Sequence, residues 1–166
     1  MKSLRRYRTL ALALLAGLGP AIGADTARPP APTLTRPASP AKAPDADGFI
    51  QRWLLLDPIP AAGLTDSVVQ AAVKKDDFPN QFTVLPRDGD KVTVGGAELA
   101  WHAVDTKNYN VNLYHFAWAL SKPTTNVLFW AVTVVNCPQE MPNVRLAIGS
   151  NAASVWWVNG KEVIGI

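Results

Sequence analysis

The chain has 166 residues, 48% hydrophobic and 17% charged, with 16 basic and 13 acidic side chains and one cysteine. That length supports one domain with a sizeable core, and a single cysteine excludes an internal disulfide. The formal charge of +3 sits at the start: without Lys2, Arg5, Arg6 and Arg8 the remainder holds 12 basic and 13 acidic groups, net −1, which leaves no basic patch for nucleic acid.

Residues 1–24 read as a secretory signal. The four cations form the positive segment, and TLALALLAGLGPAIGA is an apolar run ending in small residues, too short for a comfortable membrane span. Cleavage after Gly23 or Ala24 would send the product outside the cytoplasm, secreted or periplasmic and free of the membrane. The leader is expected as an isolated apolar helix. Residues 25–47, DTARPPAPTLTRPASPAKAPDAD, are rich in Pro, Ala, Thr and Ser and lack aromatics. Proline removes backbone donors and favours extended chain, so this stretch reads as a solvated linker without core contacts.

Residues 48–166 have globular character and contain all six tryptophans. FIQRWLLLDPIP is an apolar strand ended by prolines. Leu64 precedes TDSVVQAAVKK, read as one short helix over Thr65–Lys75. Thr65 is placed to cap, Asp66 complements the dipole, Leu64 and Val69 form a staple, and Lys74 and Lys75 suit the C-terminal end. KVTVGGAELAWHAV carries two β-rich runs around Gly95-Gly96, a hairpin signal. NVNLYHFAWAL is apolar at both parities and reads as a central strand covered on both faces. NVLFWAVTVV is a second such strand, with Cys137 near its end as a small buried hydrophobe. NVRLAIGS is another strand segment. SVWWV and KEVIGI flank Asn159-Gly160, the strongest short-range signal for a type I′ hairpin. Short strands with turn chemistry between them predict an all-β antiparallel sandwich with one short helix.

The order of FIQRWLLLDPIP, the YHFAWAL segment and LAIGSNAASVWWVNGKEV resembles the galactose-binding-like β-sandwich, or jelly-roll, modules of secreted bacterial polysaccharide-degrading enzymes, including proteins labelled acetylxylan esterase. The resemblance spans most of residues 48–166. It implies a secreted accessory module in a polysaccharide context such as xylan, contacting the polysaccharide or docking on a catalytic domain. Asn151 and Ala152 stand where many relatives carry two acidic residues. Such modules usually continue past this hairpin, which implies that C-terminal strands lie beyond Ile166. An alternative is part of an acetylxylan esterase whose catalytic residues lie mostly outside this segment. A structural or interaction module of the cell envelope is another.

The residues themselves carry little catalytic chemistry. An esterase needs a serine activated by a histidine and an acid. His102 and His115 are the two histidines, and Asp57 or Asp105 could orient one of them. Ser150 in GSNAA does not match G-x-S-x-G. No catalytic residue is assigned, and His115 reads as a hydrogen-bonded core residue. DADGF and RDGDK lack the EF-hand pattern, and the histidines lack zinc spacing. No cofactor is expected, with a structural calcium as the one compatible metal. The remaining candidates for a ligand surface are aromatic: Trp156, Trp157, Trp101 and Tyr109. Period-two geometry sends Trp156 and Trp157 to opposite faces of their strand, so at most one is expected in an inner core.

Overall fold

The computed structural model describes residues 7–15 and 34–166. The architecture is mostly β, built from antiparallel strand pairs with two short helices. Strands β1 (Tyr7–Leu15), β2 (Leu34–Thr35), β3 (Arg52–Leu56), β6 (Ala97–Thr106), β7 (Val127–Asn136), β8 (Ser154–Val158) and β9 (Lys161–Gly165) lie in the order β2-β6-β3-β7-β1-β8-β9. Two further strands hang off this path: β4 (Ile59–Pro60) pairs with β7, and β5 (Lys91–Val94) pairs with β6. Helix α1 covers Asp66–Lys74 and α2 covers Leu113–Ala119.

Both faces of the sheet are covered, which explains strands apolar at every position. Alternate residues of one strand enter different cores. Leu128, Trp130 and Val132 of β7 join Leu56, Trp101, Val155 and Trp157 in a first cluster with Leu64, Val69, Val73 and Phe78. Val127, Phe129 and Ala131 join Trp53, Leu55, Val104 and Trp156 in a second cluster with Leu113, Phe116 and Ala117 of α2. The first core therefore lies under α1, and the second lies under α2.

The α1 reading holds. Thr65 is the N-cap residue with extended backbone, and its carbonyl accepts from the Val68 and Val69 amides. The helix is entered through this backbone rather than through a side-chain cap bond. Leu64 and Val69 are both buried in the first core. Lys74 pairs with Glu162 at 2.8 Å, tying the helix end to β9.

The segment read as a central strand, NVNLYHFAWAL, is corrected: its middle is helix α2. Asn112 caps it by accepting from the His115 amide at 2.9 Å. Leu113, Phe116 and Ala117, at helical spacing, are buried, while Tyr114 and Trp118 are exposed. An apolar run carries both periods at once, and the cap decides between them. NVRLAIGS is also corrected, because residues 143–150 form no strand. The Gly95-Gly96 and Asn159-Gly160 hairpins form as expected, with φ of 56° and 83° at the first pair and 53° and 79° at the second. A bulge between Trp156 and Trp157 shifts the last register, so Trp157 opposes Glu162 and Trp156 opposes Ile164.

Tyr7–Leu15 is not the expected isolated helix. It is a strand inserted between β7 and β8 and antiparallel to both. The rest of residues 1–24, read as a leader, lies outside the described residues. A run such as TLALALL, free of Gly and Pro, suits a strand between two apolar layers as readily as a helix. The facing edges of β7 and β8 offer it backbone partners that an isolated helix lacks. The linker also departs from expectation. From Leu34 onward it is tied down: Leu34 packs on the second core, Thr35 opposes Asp105, and Lys42 Nζ donates to the Thr106 carbonyl at 3.1 Å.

Gly160→Val is expected to destabilise the protein by about 1–3 kcal/mol, because a β-branched residue resists this positive φ. A Cβ there would also stand 2.8 Å from Thr83 Cγ2, which must move. A urea titration that leaves the midpoint unchanged would refute this.

Candidate functional site

The LLLDPIP stretch places an acid among apolar neighbours. Asp57 follows the last residue of β3, ahead of Pro58, and is 4% exposed. A buried carboxylate needs partners. Asp57 has three: the Ala100 amide donates to Oδ2 at 3.0 Å, His102 Nε2 lies 3.1 Å from Oδ1, and Lys122 Nζ lies 3.5 Å from Oδ2. His102 is delivered by β6, opposite Leu55 of β3. Its ring meets Phe116 of α2 edge-on at 5.5 Å. Donation from Nε2–H to the carboxylate leaves Nδ1 as the basic nitrogen, a tautomer assigned from this bond.

His102 opens onto a cavity of about 220 Å³ between β6, β2 and α2. Leu34, Val104, Phe116 and Leu120 supply apolar wall, and Arg36, Asp88 and His115 supply polar groups. Asp88 Oδ1 is engaged by the Ala103 amide at 2.8 Å. His115 does not match the hydrogen-bonded core residue expected of it: Nδ1 is buried without a protein partner.

The arrangement supplies an oriented base. A serine paired with it is missing from the hydrogen bonds of the described serines. Ser39 Oγ donates to the Ala41 carbonyl, Ser150 Oγ to the Ala152 carbonyl, and Ser154 Oγ accepts from Trp156 Nε1. Among the described residues no group of three or more His, Cys, Asp or Glu side chains is placed to hold a metal. Cys137 is half-buried just after β7. Among the described residues no helix is long and apolar enough to cross a membrane.

The aromatic candidates divide sharply. Trp101 is 1% exposed and packs edge-on against Phe78 at 6.2 Å. Trp157 is 4% exposed against Phe82 and Trp130, and Trp156 is 7% exposed against Trp53. Both members of the Trp156-Trp157 pair are therefore core residues, one in each cluster, where at most one was expected inside. A sheet with two covered faces has two inner sides. Tyr109 alone stays open at 68%, beside Phe49 at 45%, with ring centroids 5.5 Å apart and planes tilted by 42°.

This aromatic pair joins the turn before β3 to the segment that follows β6. Asp45 shapes the approach to Phe49, its Oδ1 accepting from the Asp47 and Phe49 amides in an Asx-type turn. Thr106 Oγ1 donates to the Asn108 carbonyl just before Tyr109. Sequence reading found Tyr109 and named Asp57 among the acids able to orient a histidine. It missed Phe49, Arg36, Asp88 and Lys122. Asx chemistry in DADGF was the available signal for Phe49, while Arg36 and Asp88 reach the cavity, and Lys122 reaches Asp57, only through tertiary contacts.

Arg52 and Asp105 face each other across β3 and β6 and form a bidentate ion pair, Nη2 to Oδ2 at 3.1 Å. The Arg52 hydrogen bonds hold the Asp105 carboxyl below its ordinary range, with the charges of Arg52 and Lys42 adding to this against the opposing effect of burial. A depressed carboxyl contributes stability that is full above its unfolded value and lost as pH falls through the folded one. Asp105→Asn is therefore expected to flatten the acid limb of the stability profile below about pH 4. Urea midpoints across pH 2–7 that fall equally in both proteins would contradict this.

No protein-family model matches the chain, and no curated protein or solved structure matches it.

Proposed function

We propose that this chain is an exported, noncatalytic accessory module that contacts polysaccharide, of the galactose-binding-like sandwich type its motifs resemble, in a xylan context. The single observation behind this reading is the exposed Phe49–Tyr109 pair. Sugars present C–H faces that stack on aromatic rings, and the dispersion and polar-edge terms favour rings held open and fixed. Elsewhere on β6, the cavity between β6, β2 and α2 offers Arg36, Asp88 and His102 as polar groups able to meet hydroxyls. Nucleic acid and membrane play no part in the reading, and a catalytic domain is the natural second partner. Tyr109→Ala and Phe49→Ala are expected to reduce retardation in xylan-containing native gels at least tenfold, with unchanged circular dichroism. Equal retardation of both variants and the parent would end this proposal.

A second reading is part of a carbohydrate ester hydrolase, and it draws on the Asp57–His102 pair. The nucleophile would then come from outside the described residues.

A further inference from the structure

We infer that the position between β7 and β8 is a strand-acceptor slot, which takes an extended apolar segment of a partner polypeptide once the leader is removed. This rests on the leader reading of residues 1–24. In the structure the slot is filled by the leader's own Tyr7–Leu15, paired along its length with β7 from Asn136 to Leu128 and with β8 from Val158 to Ser154. Being antiparallel to both neighbours, it makes β7 and β8 parallel to each other. With the insert gone, their facing edges stand two strand spacings apart, roughly 10 Å, too far for a direct ladder.

With the insert in place, the walls of the slot are dry. Every residue from Val127 to Thr133 of β7 is buried, as is every residue from Ser154 to Trp157 of β8. The backbone N–H and C=O groups facing the slot thus lie between two apolar cores, where unpaired polar groups are not tolerated. Loss of the strand leaves a demand that only another backbone satisfies, so the ligand class is an extended peptide. The resident strand shows the occupant's form: nine residues, no Gly or Pro, apolar over most of its length. Strand addition of this kind takes affinity from main-chain bonds and selectivity from alternate side chains.

The full chain carrying a protease site between Ala24 and Asp25 tests this. After cleavage, the leader fragment is expected to co-elute with the body until a labelled Tyr7–Leu15 peptide with a lysine tail displaces it. A Leu12→Pro version of that peptide should bind at least tenfold more weakly. Leu12 opposes both Ala131 and Trp156, and proline removes its N–H from the ladder. Release of the fragment from a body that keeps its circular dichroism and urea midpoint and binds neither peptide would overturn the inference. So would a body that instead pairs with a second copy and excludes the peptide. N-terminal sequencing of the exported protein reads the leader step separately: an uncleaved Met1 end would remove the vacancy in the cell while the peptide result still reports on the slot.

Discussion

Trp157→Ala is expected to cost about 3–5 kcal/mol, the range for truncating a large buried aromatic side chain. The indole is 4% exposed, with the rings of Phe82 at 5.0 Å and Trp130 at 5.2 Å. Truncation would leave both rings facing a void, and a well-packed interior relaxes only in part. Set against a total stability of about 5–15 kcal/mol, this is a large fraction of the whole. Trp157→Phe keeps part of the contact and should fall well short of the alanine loss. Tyr109→Ala, on the surface, should move stability by less than about 0.5 kcal/mol. Urea unfolding of the three variants checks the order, and an alanine variant as stable as the parent would show that Trp157 is not a core residue.

Asp57→Ala is expected to lose about 1–3 kcal/mol, because the Ala100 amide is left without its acceptor in a buried setting. His102 and Lys122 lose the same partner. Asp57→Asn should recover much of this, since the amide oxygen still accepts from the Ala100 N–H. The two variants also separate the two functional readings. If the chain is a noncatalytic module, neither variant changes ester hydrolysis, and Asp57→Asn binds xylan like the parent. If the Asp57–His102 pair serves as a general base, Asp57→Asn lowers acetyl-ester hydrolysis about 10²–10⁴-fold while the fold persists. Assays on acetylated xylan and a chromogenic acetate decide between these outcomes.

Local chemistry alone determined much of this protein. Asn159-Gly160 and Gly95-Gly96 set two hairpins because their residues accept positive φ, which is a property of the dipeptide and needs no neighbour. Leu64 and Val69 carried a hydrophobic staple and Thr65 the N-cap position, and α1 follows them. NVLFWAVTVV had to be a strand with apolar layers on both sides. The tertiary structure decided what apolar runs leave open. Residues 113–119 became helix because Asn112 caps them and their Leu113, Phe116 and Ala117 stripe meets the second core. Trp156 and Trp157 both went inside because two layers cover the sheet, a count that period-two alternation does not contain. Tyr7–Leu15 became a strand because β7 and β8 present facing edges drawn from residues more than a hundred positions away. The cavity beside His102 has the same origin: Leu34, Asp88, His102 and His115 are distant in sequence, and only the pairing of β2 with β6 and the seating of α2 bring them to one wall. Sequence fixes conformation where the energy is local. Where burial decides, the partner surface must exist first.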